Sequence, residues 1–324
     1  MDIKNIPLLS KKNNILIINT GGTFSSIETS SGIKPHLSEN YLKDKLSPIT
    51  DNTEIKIIDI FNIDSANLHP IHWKSLADLI GKEYKNYDGI VIIHGTDTLS
   101  YTSSMLWNML LGIPIPVVIT GSQISIINPI ADALENMRAA IYMAQSKFPG
   151  VYVAFNRKII LGKNVSKTHS MSFDAFESID EEYVAIINAF GMKINEKLVP
   201  KIDKNFKVKS DYDDRVIIIT LSPGLKANII DDYIKLGYKG LIIESYGLGG
   251  LPFMNENYNF IEKCKEAIEK GIKIVIRSQC TYDGINLDVY ETGKKTKEIG
   301  IIVFEKITRE FAYTWLMWKL ANEN

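Results

Sequence analysis

The stretch "ILIINTGGTF" (residues 15–24) joins an apolar run to an abrupt exit. Ile15-Leu16-Ile17-Ile18 has no polar alternation, so it reads as a strand covered on both faces. The chain leaves it through Gly21-Gly22, with Thr20 and Thr23 on either side. A glycine pair lets the backbone turn with positive φ or approach another group closely. Hydroxyls flanking such a turn raise the question of what they face.

The surrounding chain repeats the pattern. Short apolar runs predict strands at Ile15 to Asn19, Ile55 to Ile60, Gly89 to His94, Val117 to Thr120 and Val151 to Phe155. Longer amphipathic stretches predict helices at His72 to Tyr84, Ser100 to Leu111 and Pro129 to Ser146. This β-α alternation implies a mostly parallel sheet flanked by helices. "FNRKII" (155–160) reads as a tight hairpin. The lysine-rich segment 192–214 reads as a linker. A second series then has strands at Val216 to Leu221, Leu241 to Glu244, Lys273 to Arg277 and Gly300 to Phe304, with helices near 226–236, 255–270 and 308–321. The expectation is two α/β domains: a larger N-terminal one over 1–191 and a smaller parallel-sheet one over 215–324.

Bulk composition narrows the function classes. With 324 residues, 45% of them hydrophobic, the chain can bury a sizeable core in two domains. A net charge of −1, with both signs spread along the chain, gives no basic stripe for nucleic acid. The two cysteines, Cys264 and Cys280, lie in no C-x-x-C or Cys/His cluster, so neither structural zinc nor a disulfide framework is expected. Cys264 shares a helical face with Ile261 and Ile268, which suits core packing. No apolar run approaches the roughly 18–20 residues that span a bilayer. "MDIKNIPLLSKKNN" lacks the apolar segment of a signal peptide, so a soluble, cytoplasmic protein is expected.

In a parallel α/β sheet, ligands bind at the carboxyl ends of the strands, near the point where strand order reverses. Four such ends carry unusual chemistry: Thr20-Gly21-Gly22-Thr23; "FNIDSANLHP" with Asp64 and Ser65; "HGTDTLS" with Thr96 and Asp97; and "TGSQ" (120–123). Each also has a purely structural reading. Gly21-Gly22 could be a plain turn or a phosphate loop, although "GGTFSS" matches neither G-x-G-x-x-G nor a Walker A sequence. Thr96 and Asp97 could cap a helix starting near Ser100. Asp64-Ser65 could be an ordinary turn, and Lys167 in "GKNVSKTHS" a solvated lysine. The structural readings would have to hold independently at four neighbouring strand ends. Threonine hydroxyls are weak nucleophiles that need a base, and a tuned lysine can serve. The five histidines, His36, His69, His72, His94 and His169, are scattered and offer no serine-histidine-acid order.

These motifs resemble those of the L-asparaginase/glutaminase amidohydrolases, whose signatures are a T-G-G-T strand exit and an H-G-T-D-T segment. The likeness runs through "NTGGTF" (19–24), "NIDSANLHP" (62–70), "DGIVIIHGTDTLSYTSS" (88–104), "ITGSQI" (119–124), "SKTHSMSFDAFES" (166–178), "KGLIIESYGLGGLP" (239–252) and "QCTYDGINLDVYETG" (279–293). The G-S-Q form is similar to the cytoplasmic type I branch and its archaeal relatives. The resemblance implies hydrolysis of L-asparagine to L-aspartate and ammonia, with no metal or cofactor. It implies Thr23 as nucleophile and Thr96, Lys167 and Asp97 as a second catalytic set, without deciding which threonine attacks. Asp64 and Asp97 would hold the substrate's ammonium, Ser65 its carboxylate, and Ser122 would join the binding site. It further implies a homodimer or homotetramer, in which the second domain, around Glu244 to Gly250, closes a neighbour's site.

Three departures from the family pattern stand out. Ile33 in "SSGIKPHLS" takes the place of a mobile-loop tyrosine, with Tyr41 as a substitute further on. Glu244 stands where some type I enzymes carry an arginine that binds regulatory asparagine. Trp315 replaces a lysine in the last helix. Three other readings compete: the glutaminase subunit of a tRNA-dependent amidotransferase, whose extra N-terminal domain has no counterpart ahead of Ile15; a non-catalytic amino-acid binder that has lost the tyrosine; and a nucleotide-binding Rossmann module.

Overall fold

The computed structural model describes residues 13–29, 32–35, 44–45, 53–180 and 182–323. Tyr41 and His36 lie outside the described residues. The chain forms two compact units, Met1–Ser210 and Asp211–Asn324.

In the first unit, β1 (Asn13–Gly21) is followed by a two-stranded hairpin, β2 (Ser26–Thr29) and β3 (Gly32–Pro35). Then come β4 (Thr53–Ile63), α1 (Pro70–Glu83), β5 (Gly89–Ile93), α2 (Leu99–Met109), β6 (Pro116–Thr120), α3 (Ala133–Gln145) and β7 (Gly150–Phe155). Short strands complete it: β8 (Lys158–Leu161), β9 (Val165–Lys167), β10 (Phe176–Ser178), β11 (Ala185–Asn188) and β12 (Gly191–Ile194). The sheet order is β12-β11-β8-β7-β6-β5-β1-β4, parallel from β4 to β7 and antiparallel beyond. Strand order reverses at β1 and β5, so the crevice at their carboxyl ends is the switch point where this architecture binds ligands.

The core follows from strand alternation. Ile15, Ile17, Val91, Ile93 and Val118 meet Met137, Ala140, Ile141 and Ala144 of α3 in one apolar cluster. Those four positions of α3 recur at helical spacing and form a single face. The intervening Leu16, Ile18, Ile90 and Ile92 are equally buried and turn to the opposite face of the sheet. Each such isoleucine contributes about 1.5–3 kcal/mol over an exposed one, so the sheet is a rigid base for whatever its edge carries.

The expected hairpin at 155–160 is β7–β8, with Phe155 opposite Lys158. Its two central residues, Asn156 (φ 45) and Arg157 (φ 61), carry the positive φ of a type I′ turn. The segment 192–214 departs from the linker reading. Its first residues are in β12, which pairs with β11, and the first unit extends to Ser210. The lysines there mask the strand, because β12 is an edge strand with one exposed face.

The second unit is a four-stranded parallel sheet in sequential order: β13 (Val216–Thr220), β14 (Gly240–Ser245), β15 (Lys273–Ser278) and β16 (Ile302–Val303). Its helices are α4 (Ile229–Lys235), α5 (Phe260–Glu269), α6 (Glu291–Glu298) and α7 (Arg309–Asn322). Cys264 is buried in this core, as its helical spacing suggests. α6, "ETGKKTKE", was not legible, since it buries only Gly293 and Thr296 and so lacks an apolar stripe. Trp315 packs edge-on against Phe304 with centroids 5.0 Å apart.

Candidate active site

The T-G-G-T exit is shaped by a register change. β1 and β4 pair Asn19 with Asp59 and then Gly21 with Ile63, so β4 bulges at the end of β1. Bulges re-aim the chain that follows. Asn19 secures the turn by donating to Asp59 Oδ1 (2.7 Å) and accepting from the Gly21 N–H (3.1 Å). Thr20 Oγ1 donates to the Ile93 carbonyl (2.9 Å), which makes Thr20 structural. Thr23 opens a short 3₁₀ turn, Thr23–Ser25, and is half-buried.

Glycine is required here by contact as well as conformation. Gly22 has φ +82, and a Cβ on it would lie 2.4 Å from both Cα and N of Gly95. A Cβ on Gly95 would in turn lie 2.6 Å from Ser65 Oγ. Three strand ends, after β1, β4 and β5, are therefore in van der Waals contact through glycines. This draws together the backbones that carry Thr23, Ser65 and Thr96.

On that scaffold stands an ionic cluster. Lys167, the last residue of β9, donates from Nζ to Thr96 Oγ1 (3.0 Å) and Asp97 Oδ1 (2.7 Å). Thr96 is buried and the Lys167 side chain 17% exposed, while that of Asp97 is 61% exposed. The Asp97 N–H donates to Ser65 Oγ (3.2 Å), and Thr98 Oγ1 donates to the Ser65 carbonyl (2.8 Å). Asp64 caps the 3₁₀ turn Ser65–Asn67, its Oδ1 accepting from the Ala66 N–H (2.9 Å), and is otherwise exposed. Ser122, two residues beyond β6, is fully buried with no hydrogen-bond partner for its hydroxyl among the described residues. The fold thus joins Thr96, Asp97, Lys167 and Ser65 by direct hydrogen bonds and brings Thr23 close through the Gly22–Gly95 contact.

A second layer was missed in the sequence. Asp132, just before α3, accepts from the N–H groups of Gln123 (3.0 Å) and Ile124 (3.2 Å) and from Asn136 Nδ2 (2.9 Å). Burial raises its carboxyl above the usual range, against those hydrogen bonds. Asn136 also donates to the Gly121 carbonyl (3.0 Å). Gln123 Nε2 donates to the carbonyls of Ser170 (3.1 Å) and Ser172 (2.9 Å), in the loop that follows Lys167. The i,i+4 spacing of Asp132 and Asn136 behind "TGSQ" was the available signal. His94 is fully buried, and that burial lowers its imidazole to about 4, only partly offset by its bond to Gly95. It is therefore neutral at physiological pH.

Known families match both units. The family described as Asparaginase, N-terminal, matches residues 14–200. The family described as Glutaminase/Asparaginase C-terminal domain matches residues 215–324. The chain belongs to the asparaginase family. It is 37% identical over 311 residues to an L-asparaginase of Thermococcus kodakarensis, spanning 95% of this chain and 93% of that protein. The solved structure of the thermostable L-asparaginase from Thermococcus kodakarensis superposes with a TM-score of 0.88 at 36% identity, covering 96% of this chain and 93% of the other. A subunit of glutamyl-tRNA(Gln) amidotransferase from Pyrococcus abyssi is 33% identical over 320 residues, covering 95% of this chain and 72% of its own length. An asparaginase-family amidohydrolase acts on a carboxamide, and the chemistry at the switch point suits one. No His, Cys, Asp or Glu group among the described residues could hold a metal ion. No helix among them is long and apolar enough to cross a membrane.

Proposed function

We propose that this protein hydrolyses the side-chain amide of L-asparagine to L-aspartate and ammonia. The observation that carries the reading is the Thr96–Lys167–Asp97 cluster, with Lys167 Nζ 3.0 Å from a threonine hydroxyl at the switch point of the sheet. Thr23 attacks the carboxamide carbon and forms an acyl-enzyme. Lys167, held by Asp97, relays the hydroxyl proton of Thr23 through Thr96 to the amide nitrogen, and ammonia leaves. Water then attacks the ester, the Thr96–Lys167 relay carries one of its protons back to the Thr23 oxygen, and aspartate is released. Backbone N–H groups beside Thr23 and Thr96 stabilise the tetrahedral oxyanion, a contribution worth about 2.7–4 kcal/mol per donor. Asp64 and Asp97 receive the α-ammonium, Ser65 offers its hydroxyl to the α-carboxylate, and Ser122 joins the binding site.

By family likeness we place the protein in the cytoplasm as a homodimer or homotetramer, with the second unit contributing to a neighbour's site. We leave Glu244 out of that contribution, since its carboxylate is bonded to Thr220 and Arg309 within its own unit. The stretch after it lines a cavity of about 300 Å³ with Tyr246, Leu248, Asn286, Tyr290 and Thr292, and is the better candidate. Ammonia release from L-asparagine and L-glutamine, each over micromolar to tens of millimolar, tests the reading. Turnover of asparagine in preference to glutamine supports it. Ammonia release from glutamine that requires a partner protein favours the amidotransferase reading. Aspartate binding without turnover favours a binder.

A further inference from the structure

A wire of hydrogen bonds runs from the core to the H-G-T-D loop. Trp73 Nε1 donates to Thr102 Oγ1 (2.9 Å), Thr102 Oγ1 lies 2.9 Å from His94 Nε2, and His94 Nδ1 lies 2.7 Å from the Gly95 carbonyl oxygen. The proton positions follow from the ends. A carbonyl only accepts, so Nδ1 carries the ring hydrogen; the neutral ring then accepts at Nε2. Thr102 accepts from the indole and gives its single hydroxyl hydrogen to Nε2. Trp73, His94 and Thr102 are all buried, and His94 is anchored by its own N–H to the Thr120 carbonyl (2.8 Å). A Cβ on Gly121 would lie 2.3 Å from the His94 carbonyl oxygen, so the next strand end leaves this backbone no freedom.

We propose that His94 is a positioning residue: its Nδ1–H holds the Gly95 carbonyl and so sets the direction of the Thr96 backbone N–H. The peptide unit is planar and trans, so a carbonyl drawn toward the core turns the following N–H the opposite way, toward the open edge that carries Thr96 and Lys167. This inference rests on the amidohydrolase reading above, which gives that N–H the developing oxyanion to stabilise. Preorganised donors act because they need not reorient during reaction, and a donor that swings loses that advantage.

The test uses two variants and the wild type. The amide nitrogen of Asn reaches the place of Nδ1, and that of Gln the place of Nε2. In His94→Gln, kcat for L-asparagine is expected to fall about 10²-fold with KM changed less than about threefold, the loss typical of one misaligned oxyanion donor. In His94→Asn most of kcat is retained. Equal losses in the two folded variants, or an unchanged His94→Gln, overturn the proposal. Crystal structures of both variants are expected to show the Gly95–Thr96 peptide rotated only in His94→Gln; an unrotated peptide there overturns it. Nitrogen-15 spectra of histidine-labelled wild type, independent of any variant's folding, are expected to show His94 as the neutral Nδ1–H tautomer, and the Nε2–H tautomer overturns it. If the wild type releases no ammonia from asparagine or glutamine, the amidohydrolase reading fails by itself, and the peptide orientation and tautomer still decide the positioning role.

Discussion

At the carboxyl edge of the first sheet, Asp97 meets Lys167 at 2.7 Å and keeps its side chain 61% exposed. At the carboxyl edge of the second, Glu244 is completely buried on β14. Its Oε1 accepts from Arg277 and from Arg309 Nε (2.8 Å), and its Oε2 from Arg309 (2.6 Å) and Thr220 Oγ1 (2.6 Å). Asp97 lies in the loop after β5 and Glu244 within β14, both at the carboxyl ends of parallel strands, yet one has spare acceptor capacity facing solvent and the other has none. A carboxylate with free lone pairs can greet a substrate ammonium. One whose lone pairs are all taken can only hold its own strands together. The location favours function; the number of uncommitted polar groups decides whether function follows.

The largest effect expected is at the open cluster. Thr23→Ala and Thr96→Val should each lower kcat by at least about 10³-fold, about 4 kcal/mol of barrier, with unchanged thermal melting. Near-normal turnover in either would remove that residue from the mechanism. The closed cluster should answer in stability instead. Glu244→Ala leaves the buried Arg277 uncompensated and should destabilise the second unit by about 3–5 kcal/mol in denaturant titrations. A loss below about 1 kcal/mol would mean that the cluster is solvated and that the contrast fails.

Gly22→Ala sharpens the geometry, because its Cβ would collide with the backbone of Gly95. A displacement near 1 Å should cost about 10²-fold in kcat/KM. Activity close to wild type would show that the loop can shift without consequence. The two units should also differ in acid. For Glu244, burial opposes ionisation, but the hydrogen bonds of Arg309 and Thr220 and the charges of Arg277 and Arg309 outweigh it and hold its carboxyl below the usual range. Its stabilisation is then complete above the ordinary carboxylate range and is lost as pH falls through the lowered value. Asp132, raised by burial, has the opposite sign: its contribution is present at low pH and is lost as pH rises through its raised value. Unfolding midpoints against pH for wild type and Glu244→Gln should therefore converge in acid, and a constant gap would contradict the assignment. The smallest change expected is a rise of a few-fold in kcat for Ile33→Tyr, which restores a hydroxyl on β3, the strand paired with β2; no rise would mean that another group already supplies it.

Much of the candidate site was legible because it rests on local chemistry at strand ends. Thr23, Asp64, Ser65, Thr96 and Asp97 each follow an apolar run, so the sheet's direction alone collects them. Lys167 had only a plausible position, and its 3.0 Å approach to Thr96 depends on the β9–β10 pairing of Lys167 with Phe176, a contact the sequence does not announce. His94 carries no such local signal, because its contact with Thr102 needs the turn between β5 and α2, and Trp73 reaches Thr102 from α1. The helix α6 and the strand β12 were hidden by polar composition.

The sequence by itself determined the alternation of buried strands and amphipathic helices, the two-unit division and the residue types at the carboxyl edge. Those depend on hydrophobic periodicity and turn chemistry, which act over a few residues. Tertiary structure alone decided the strand order that puts β1 beside β5, the glycine contacts linking Gly22, Gly95 and Ser65, the neutral state of His94 and the closure of Glu244 between two arginines. These arise where groups far apart in the chain meet in a dry interior, and there burial and partner geometry, not residue type, set charge and reactivity.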